Sequence, residues 1–128
     1  RDLAALPAAT KASDYNDRCW VRATAGIDLD KALADCNAGL KLRPDSRPLM
    51  DSRGFTYLRL GKLDEALSDF NRALAKGDMA ASLMGRSLVW QRKGNLEKAE
   101  ADRKAAVEID PEIVEEYNGY LSHKQDGT

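Results

Sequence analysis

Apolar residues in the middle of the chain recur at every third or fourth position, the spacing that places them on one face of an α-helix. Aromatic residues make up 6% of the chain, alanine is frequent and runs of β-branched residues are absent. This composition favours helices over sheets, and we therefore predict an all-α fold. The pattern is clearest in one segment, where the apolar positions are Leu63, Ala66, Leu67, Phe70, Ala73 and Leu74.

The sequence contains three similar copies of one segment, with periods of 35 and 33 residues. In each copy an arginine precedes a glycine by eight residues, and an aspartate follows eight or nine residues after the glycine. A period near 34 residues is typical of a helix–turn–helix unit, and the glycine suits a helix end that needs a positive φ. The arginines are Arg18, Arg53 and Arg86, the glycines Gly26, Gly61 and Gly94, and the aspartates Asp35, Asp69 and Asp102.

The second copy resembles a tetratricopeptide repeat at the family's signature positions, which are Gly54, Tyr57, Gly61, Ala66, Phe70 and Ala73. The first copy departs from the family pattern at Cys19, where a glycine is expected. The third has Ser87 at that position and Arg103 in place of the large aromatic residue. The resemblance covers about residues 13–122 and implies a right-handed superhelical solenoid of three helical pairs followed by a C-terminal capping helix.

The predicted domain organisation follows from the repeats. Asp110 and Pro111 suit the start of the last helix, whose apolar side is formed by Ile113, Tyr117, Tyr120 and Leu121. The chain does not begin with methionine and its start lacks a secretion-signal pattern, so we regard it as a processed product or a part of a longer protein. The expected segments are an irregular N-terminal stretch at 1–12, a repeat domain at 13–122 with repeats at about 13–46, 47–78 and 79–110, a capping helix at 111–122, and a tail at 123–128.

The repeated arginines and aspartates are expected to form ion pairs. The two helices of a repeat are antiparallel, so residues equally far from the turn face each other. We predict that these pairs hold the helices together and have no ligand role, with about 0–1 kcal/mol from each if it is exposed. The three pairs are Arg18–Asp35, Arg53–Asp69 and Arg86–Asp102.

Cys19 and Cys36 are the two cysteines of the chain, and each directly follows a member of the first ion pair. They should therefore lie nearly opposite each other, with Cys36 at the position that Phe70 takes in the second copy. We predict a disulfide, which implies an oxidising compartment such as the periplasm or the outside of the cell. The alternative is a pair of buried free thiols, which would leave the cytoplasm open as the location.

In the resembled family, the first helix of each repeat lines a concave face that usually binds an extended or helical peptide. Two positions after the repeated arginines stand Trp20, Phe55 and Leu88, which should form an apolar row with Trp20 as the main anchor. The alternative is that the N-terminal segment or a second copy of the chain covers this row, as in a structural module that associates with itself or caps itself. Flanking positions on the same face are Asn16, Ala23, Asp51, Leu58, Arg59, Met84, Gln91 and Arg92.

Some family members bind the C-terminal carboxylates of heat-shock chaperones through a clamp of lysines and asparagine. The lysines and the final arginine of that clamp are absent here, so we do not predict this function. The matching positions are Asn16, Trp20, Ser52, Ala81 and Gly85.

Other function classes find little support in the sequence. A net charge of −1 gives no indication of a nucleic-acid partner, and no apolar run approaches the roughly 20 residues of a membrane span. Two cysteines and His123, which we expect to be solvated, are too few for a metal site, and no catalytic or cofactor-binding motif is present. We therefore predict a non-enzymatic adaptor with a protein or peptide partner, possible homo-oligomerisation, or docking of an adjoining enzymatic domain in a longer protein.

Overall fold

The structure, a computed structural model, describes residues 9–122 of the chain. Within that range it contains seven α-helices and no strand, which confirms the all-α prediction. The predicted tail at 123–128, with His123, lies outside the described residues, as do residues 1–8 of the predicted N-terminal segment. The helices are α1 (Ala12–Ala25), α2 (Leu29–Leu42), α3 (Arg47–Arg59), α4 (Leu63–Leu74), α5 (Ala80–Arg92), α6 (Leu96–Ile109) and α7 (Ile113–Ser122).

The first six helices pack as three hairpins that stack on one another. Helix α1 packs on α2, α3 on α4 and α5 on α6, and the second helix of each hairpin also contacts the first helix of the next. The first helices are neighbours as well, α1 beside α3 and α3 beside α5. This is the arrangement that the three sequence copies predict. The handedness of the stack stays a prediction.

Glycine ends the first helix of each hairpin because the backbone there takes a positive φ. The φ angle is 79° at Gly61 and 84° at Gly94. A Cβ at either position would meet no atom within 4 Å, so the glycine serves the backbone conformation and not close packing. The first turn has one extra residue, and there Asp28 also takes a positive φ of 53°.

Phe70 fills the junction between the second and third hairpins. Its ring is fully buried, and a Cβ on Gly54 of α3 would lie 2.8 Å from a ring atom. A Cβ on Gly85 of α5 would lie only 2.3 Å from the same ring. Both glycines are therefore needed because the phenylalanine leaves no room for a side chain.

A disulfide takes the place of this packing in the first hairpin. Cys19 and Cys36 are fully buried and bonded, with their Cα atoms 5.5 Å apart. Cys19 stands where Gly54 stands in the second hairpin, and Cys36 where Phe70 stands. The bond therefore joins α1 to α2 at the point where a large ring joins the next two helices. Residues that share this core cluster with the cysteines include Ala32, Leu40, Leu49, Met50 and Ala73.

The third hairpin closes without a large aromatic residue. Ser87, at the family's glycine position, donates a hydrogen bond from its hydroxyl to the carbonyl oxygen of Ala99 at 2.7 Å. Arg103, at the aromatic position, pairs instead with Glu100 on the exposed side of α6. A direct bond between α5 and α6 thus accompanies the loss of the ring.

Arginines join the second and third hairpins both internally and to the hairpin before each of them. Arg53 donates from Nε and Nη2 to the two carboxylate oxygens of Asp69, at 2.7 and 2.8 Å. Its Nη1 donates to Asn37 of the preceding hairpin at 3.0 Å. Each such arginine therefore fixes two hairpins relative to each other. The same three contacts recur one repeat later between Arg86, Asp102 and Asn71, at 2.7, 2.8 and 2.9 Å.

The first hairpin uses a second arginine. Nε of Arg18 lies 3.4 Å from Asp35 Oδ2, and Nη1 of Arg22 lies 2.5 Å from the same oxygen. Arg22 stands where the later copies have Tyr57 and Trp90, so the repeat pattern gives no indication of its role. Asp35 thus has two cationic neighbours.

Candidate functional site

The first helices of the three hairpins, α1, α3 and α5, share one surface that we call the A face. Its aromatic residues are neighbours, since the ring centroids of Trp20 and Phe55 lie 5.4 Å apart. Leu88 belongs to the same hydrophobic cluster. We define the A face by the residues that the sequence pattern assigned to peptide binding, which are Asn16, Trp20, Asp51, Phe55, Leu58, Arg59, Met84, Leu88, Gln91 and Arg92.

These ten residues differ in exposure. Half of them are buried, and the rest form a partly exposed to exposed margin around them. A partner cannot touch the buried half in the state described by the structure. The buried residues are Asp51, Phe55, Leu58, Met84 and Leu88, the partly exposed ones Asn16, Trp20 and Arg59, and the exposed ones Gln91 and Arg92.

Helix α7 covers the aromatic residues of the A face. The ring of Tyr117 lies 5.5 Å from that of Phe55 at an interplanar angle of 81°, and the ring of Tyr120 lies 5.6 Å from that of Trp20 at 85°. Edge-to-face pairs at such distances contribute about 0.5–1.5 kcal/mol beyond the burial of their surface. Four rings, two from the A face and two from α7, therefore form one continuous cluster.

Two hydrogen bonds to main-chain carbonyl oxygens also hold α7 on the A face. Nη1 of Arg59 donates to the carbonyl oxygen of Tyr120 at 2.9 Å. The hydroxyl of Tyr117 donates to the carbonyl oxygen of Ala81, at the start of α5, at 3.3 Å. The helix is thus attached both to α3 and to α5.

Positive charge collects at the end of the A face where Arg59 lies. Arg92 is close by and donates from Nη1 to the carbonyl oxygen of Leu58 at 2.9 Å. Burial lowers the pKa of Arg59, and the charge of Arg92 lowers it further. A guanidinium nevertheless stays protonated at neutral pH, so this margin of the A face is cationic.

A carboxylate is buried under α7. The side chain of Asp51 accepts a hydrogen bond from the hydroxyl of Ser82 at 2.8 Å. Burial raises the pKa of Asp51 to about 6, although the bond from Ser82 opposes this shift. Burial raises the pKa of Tyr117 as well, and the negative charge of Asp51 adds to that effect. The covered A face therefore holds a carboxyl group that would be better solvated if the face were open.

The sequence pattern placed Tyr117 and Tyr120 on the apolar side of the last helix but did not connect them with the binding row. It named two other candidates that could cover this row, which are the N-terminal segment and a second copy of the chain. The sequence did contain an indication that α7 contacts the aromatic row, because two of the chain's four tyrosines stand three residues apart on this helix. That spacing places both rings on the same side of a helix.

An open cleft of about 700 Å³ lies at the first-hairpin end of the molecule. Its walls come from the start of α1, the end of α2 and the start of α3, and include Asn16, Arg43 and Asp45. Asn16 already accepts a hydrogen bond from the hydroxyl of Ser52 at 2.6 Å. The cleft therefore borders the A face at Asn16 and lies apart from its aromatic cluster.

Within residues 9–122, no three histidine, cysteine, aspartate or glutamate side chains are grouped in a way that could hold a metal ion. In the same part of the chain, no helix has both the length and the apolar character that crossing a membrane requires.

Comparison with known proteins finds a family match for the second hairpin. The family model of the tetratricopeptide repeat matches residues 49–75, which contain most of α3 and all of α4. This is the copy in which all the signature positions are occupied as expected. A search of curated proteins finds no match to the chain.

Proposed function

We propose that the chain, whose second hairpin matches the tetratricopeptide repeat family, is a tetratricopeptide repeat protein and a non-enzymatic adaptor that binds a segment of a partner protein at its A face. The observation that carries this proposal is that the A face already holds a helix. Helix α7 lies on α1, α3 and α5 in the way an amphipathic helix lies in a receptor groove.

The composition of the A face suits protein recognition. Its centre is apolar and aromatic, and the partly exposed Trp20 belongs to a residue type that often dominates binding energies. Its margin is polar, with Gln91 and Arg92 exposed. An apolar centre inside a polar rim is the usual anatomy of a protein interface.

The disulfide supports a location outside the reducing cytoplasm. Cys19 and Cys36 are bonded in the structure, and such bonds persist in oxidising compartments. We therefore propose that the adaptor acts in the periplasm or as a secreted protein, and that its partners belong to the same compartment.

A second candidate function is purely structural. Tyr117 is only 1% exposed, so α7 can also be understood as a permanent cap that completes the core of the repeats. In that case the A face has no foreign ligand. Removal of Trp20 would then lower stability without abolishing any binding.

The two candidates are distinguished by selecting ligands from a displayed library of peptides and helices with the full chain as bait. Each selected ligand is then measured against Trp20→Ala and the matched control Trp90→Ala. Trp90 lies on α5 with its ring 4.5 Å from Nζ of Lys98 in α6, away from the aromatic cluster of the A face. We expect at least a tenfold loss of affinity with Trp20→Ala and less than twofold with Trp90→Ala. Equal effects, or no selectable ligand, would contradict the adaptor function.

A further inference from the structure

We propose that α7 is an internal ligand of the A face and that the foreign ligand is an amphipathic helix with two aromatic side chains three residues apart, which displaces α7. This inference rests on the proposed function, because it describes the partner of the same surface. The contacts of α7 define what such a partner must present.

The first requirement is the aromatic pair. Tyr117 and Tyr120 are three residues apart. Tyr117 places its ring edge-on against Phe55, and Tyr120 places its ring edge-on against Trp20 and, with 6.2 Å between centroids, against Phe55 as well. The two contacted rings lie on different hairpins, because Trp20 belongs to α1 and Phe55 to α3. A ligand with a single aromatic residue at the position of Tyr120 would therefore lose the 5.5 Å contact that Tyr117 makes with Phe55, and one at the position of Tyr117 would lose the contact with Trp20.

The second requirement is a main-chain carbonyl group beside Arg59. The carbonyl oxygen to which Arg59 donates belongs to Tyr120 of α7, one of the two tyrosines of the aromatic pair. Arg59 therefore binds the main chain of the helix that covers the A face. This contact does not require a particular side chain at that position of the ligand.

The length, burial and composition of α7 favour its reversible attachment to the A face. It has ten residues, a length at which an isolated helix is marginal in water, and only Ile113 and Tyr117 are buried. Gly119 lies in its interior, where a Cβ would meet no atom within 4 Å. Packing therefore does not require glycine, which destabilises the helix by about 0.5–1 kcal/mol relative to alanine.

The short connection between α6 and α7 keeps α7 close to the A face. Helix α6 ends at Ile109 and α7 begins at Ile113, so three residues join them. A tethered segment competes at a high effective concentration, and a foreign helix binds with its intrinsic affinity only to the fraction of molecules in which α7 is detached. Changes in the stability of α7 should therefore change the affinity of a foreign helix in the opposite direction.

The inference is tested with a fluorescently labelled peptide of residues 110–122 added to the full chain, followed by anisotropy. Tyr120→Ala in the chain weakens the attached α7 and should increase peptide affinity at least fivefold. Gly119→Ala in the chain strengthens α7 and should lower the affinity about two- to fivefold, the factor that corresponds to 0.5–1 kcal/mol. Circular dichroism and unfolding curves establish that both variants are folded.

A second peptide, with alanine in place of both Tyr117 and Tyr120, serves as the matched control. We expect it not to bind any of the three chains. Equal binding of the two peptides, or equal affinity of all three chains for the unaltered peptide, would overturn the inference. A doubled mass of the Tyr120→Ala chain in light scattering would also overturn it, because a second copy would then occupy the A face.

Failure of this inference and failure of the proposed function give different results. A library ligand that depends on Trp20, carries no aromatic pair and is insensitive to Gly119→Ala would keep the adaptor function and reject α7 as an internal ligand. Conversely, tyrosine-dependent peptide binding with no selectable foreign ligand would support an internal ligand and reject the adaptor function.

Discussion

The phenol ring of Tyr117 stands edge-on to the ring of Phe55, with 5.5 Å between the two centroids. Phe55 comes from the middle of the repeats and Tyr117 from the helix that ends them. This contact completes the hydrophobic core and at the same time covers the surface expected to bind a partner. The stability of the protein and the accessibility of the A face therefore depend on the same pair of rings.

Tyr117→Ala should lower the free energy of unfolding by about 3 kcal/mol, since removal of a buried aromatic side chain typically costs 3–5 kcal/mol and the end of a solenoid can partly collapse. Tyr117→Phe is the matched control. It keeps the ring and loses only the hydroxyl, whose bond to the carbonyl oxygen of Ala81 is 3.3 Å long, so it should cost about 1 kcal/mol or less. Urea unfolding of both variants measures the difference, and similar values would show that the ring contact is unimportant.

Arg53→Met should destabilise the repeats by about 3 kcal/mol. The side chain of Asp69 is only 3% exposed, and the substitution removes both of its hydrogen bonds from Arg53. Removal of one partner leaves a buried charge without compensation, which is the costly way to break such a pair. Arg72, which is half exposed and 4.0 Å from the same carboxylate, is too distant to replace these bonds.

Arg18→Met is the matched control for Arg53→Met, because it removes the corresponding arginine of the first hairpin. Asp35 keeps the closer contact from Arg22 in that variant. We therefore expect a loss of about 1 kcal/mol or less. Thermal or urea unfolding compares the two, and equal losses would show that Arg22 does not support Asp35.

Replacement of Cys19 and Cys36 together by alanine should lower the free energy of unfolding by about 3 kcal/mol, because a bond that closes a loop of this length restricts the unfolded chain by about that amount. The state of the bond is checked by alkylation under denaturing conditions and intact mass. Unreduced protein should take up no alkyl group and reduced protein two. Labelling of both cysteines without reduction would contradict the disulfide and the extracytoplasmic location with it.

Asp51→Asn should change how stability depends on pH. The pKa of Asp51 is about 6 in the folded chain against an ordinary value of 3.8, so the folded state binds more protons between these values. Stability from this group is therefore fully present below about pH 4 and is lost as pH rises through about 6, by up to about 3 kcal/mol. Asparagine can still accept the bond from Ser82. The variant should be more stable than the unaltered chain at pH 7, and a parallel pH dependence of the two would contradict a buried charge.

The repetitive part of the fold was predictable from the sequence because it depends on local spacing. The helix ends at Gly61 and Gly94 follow from the need for a positive φ, which a single residue reveals. Contacts between hairpins were harder to foresee. Gly85 matters because the ring of Phe70 from the neighbouring hairpin fills its space, and the sequence pattern does not express that relationship.

The candidate site was only partly predictable for the same reason. The neighbours Trp20 and Phe55 follow from the repeat period, since equivalent positions on adjacent hairpins form rows. The position of Tyr120 against Trp20 depends on how the last helix packs, which joins opposite ends of the chain. No repeat period specifies such a contact. Arg22 escaped prediction because the other copies have no arginine at its position.

The central claim is that a partner helix binds the A face in place of α7, and hydrogen exchange tests it most directly. Amide exchange is followed by mass spectrometry on the full chain, free and saturated with a ligand selected from the library. We predict slower exchange in α1 and α3 and faster exchange in α7 when the ligand is bound, because α7 leaves the surface that the ligand takes. Unchanged or slower exchange in α7, with protection confined to α2, α4 and α6, would contradict the account.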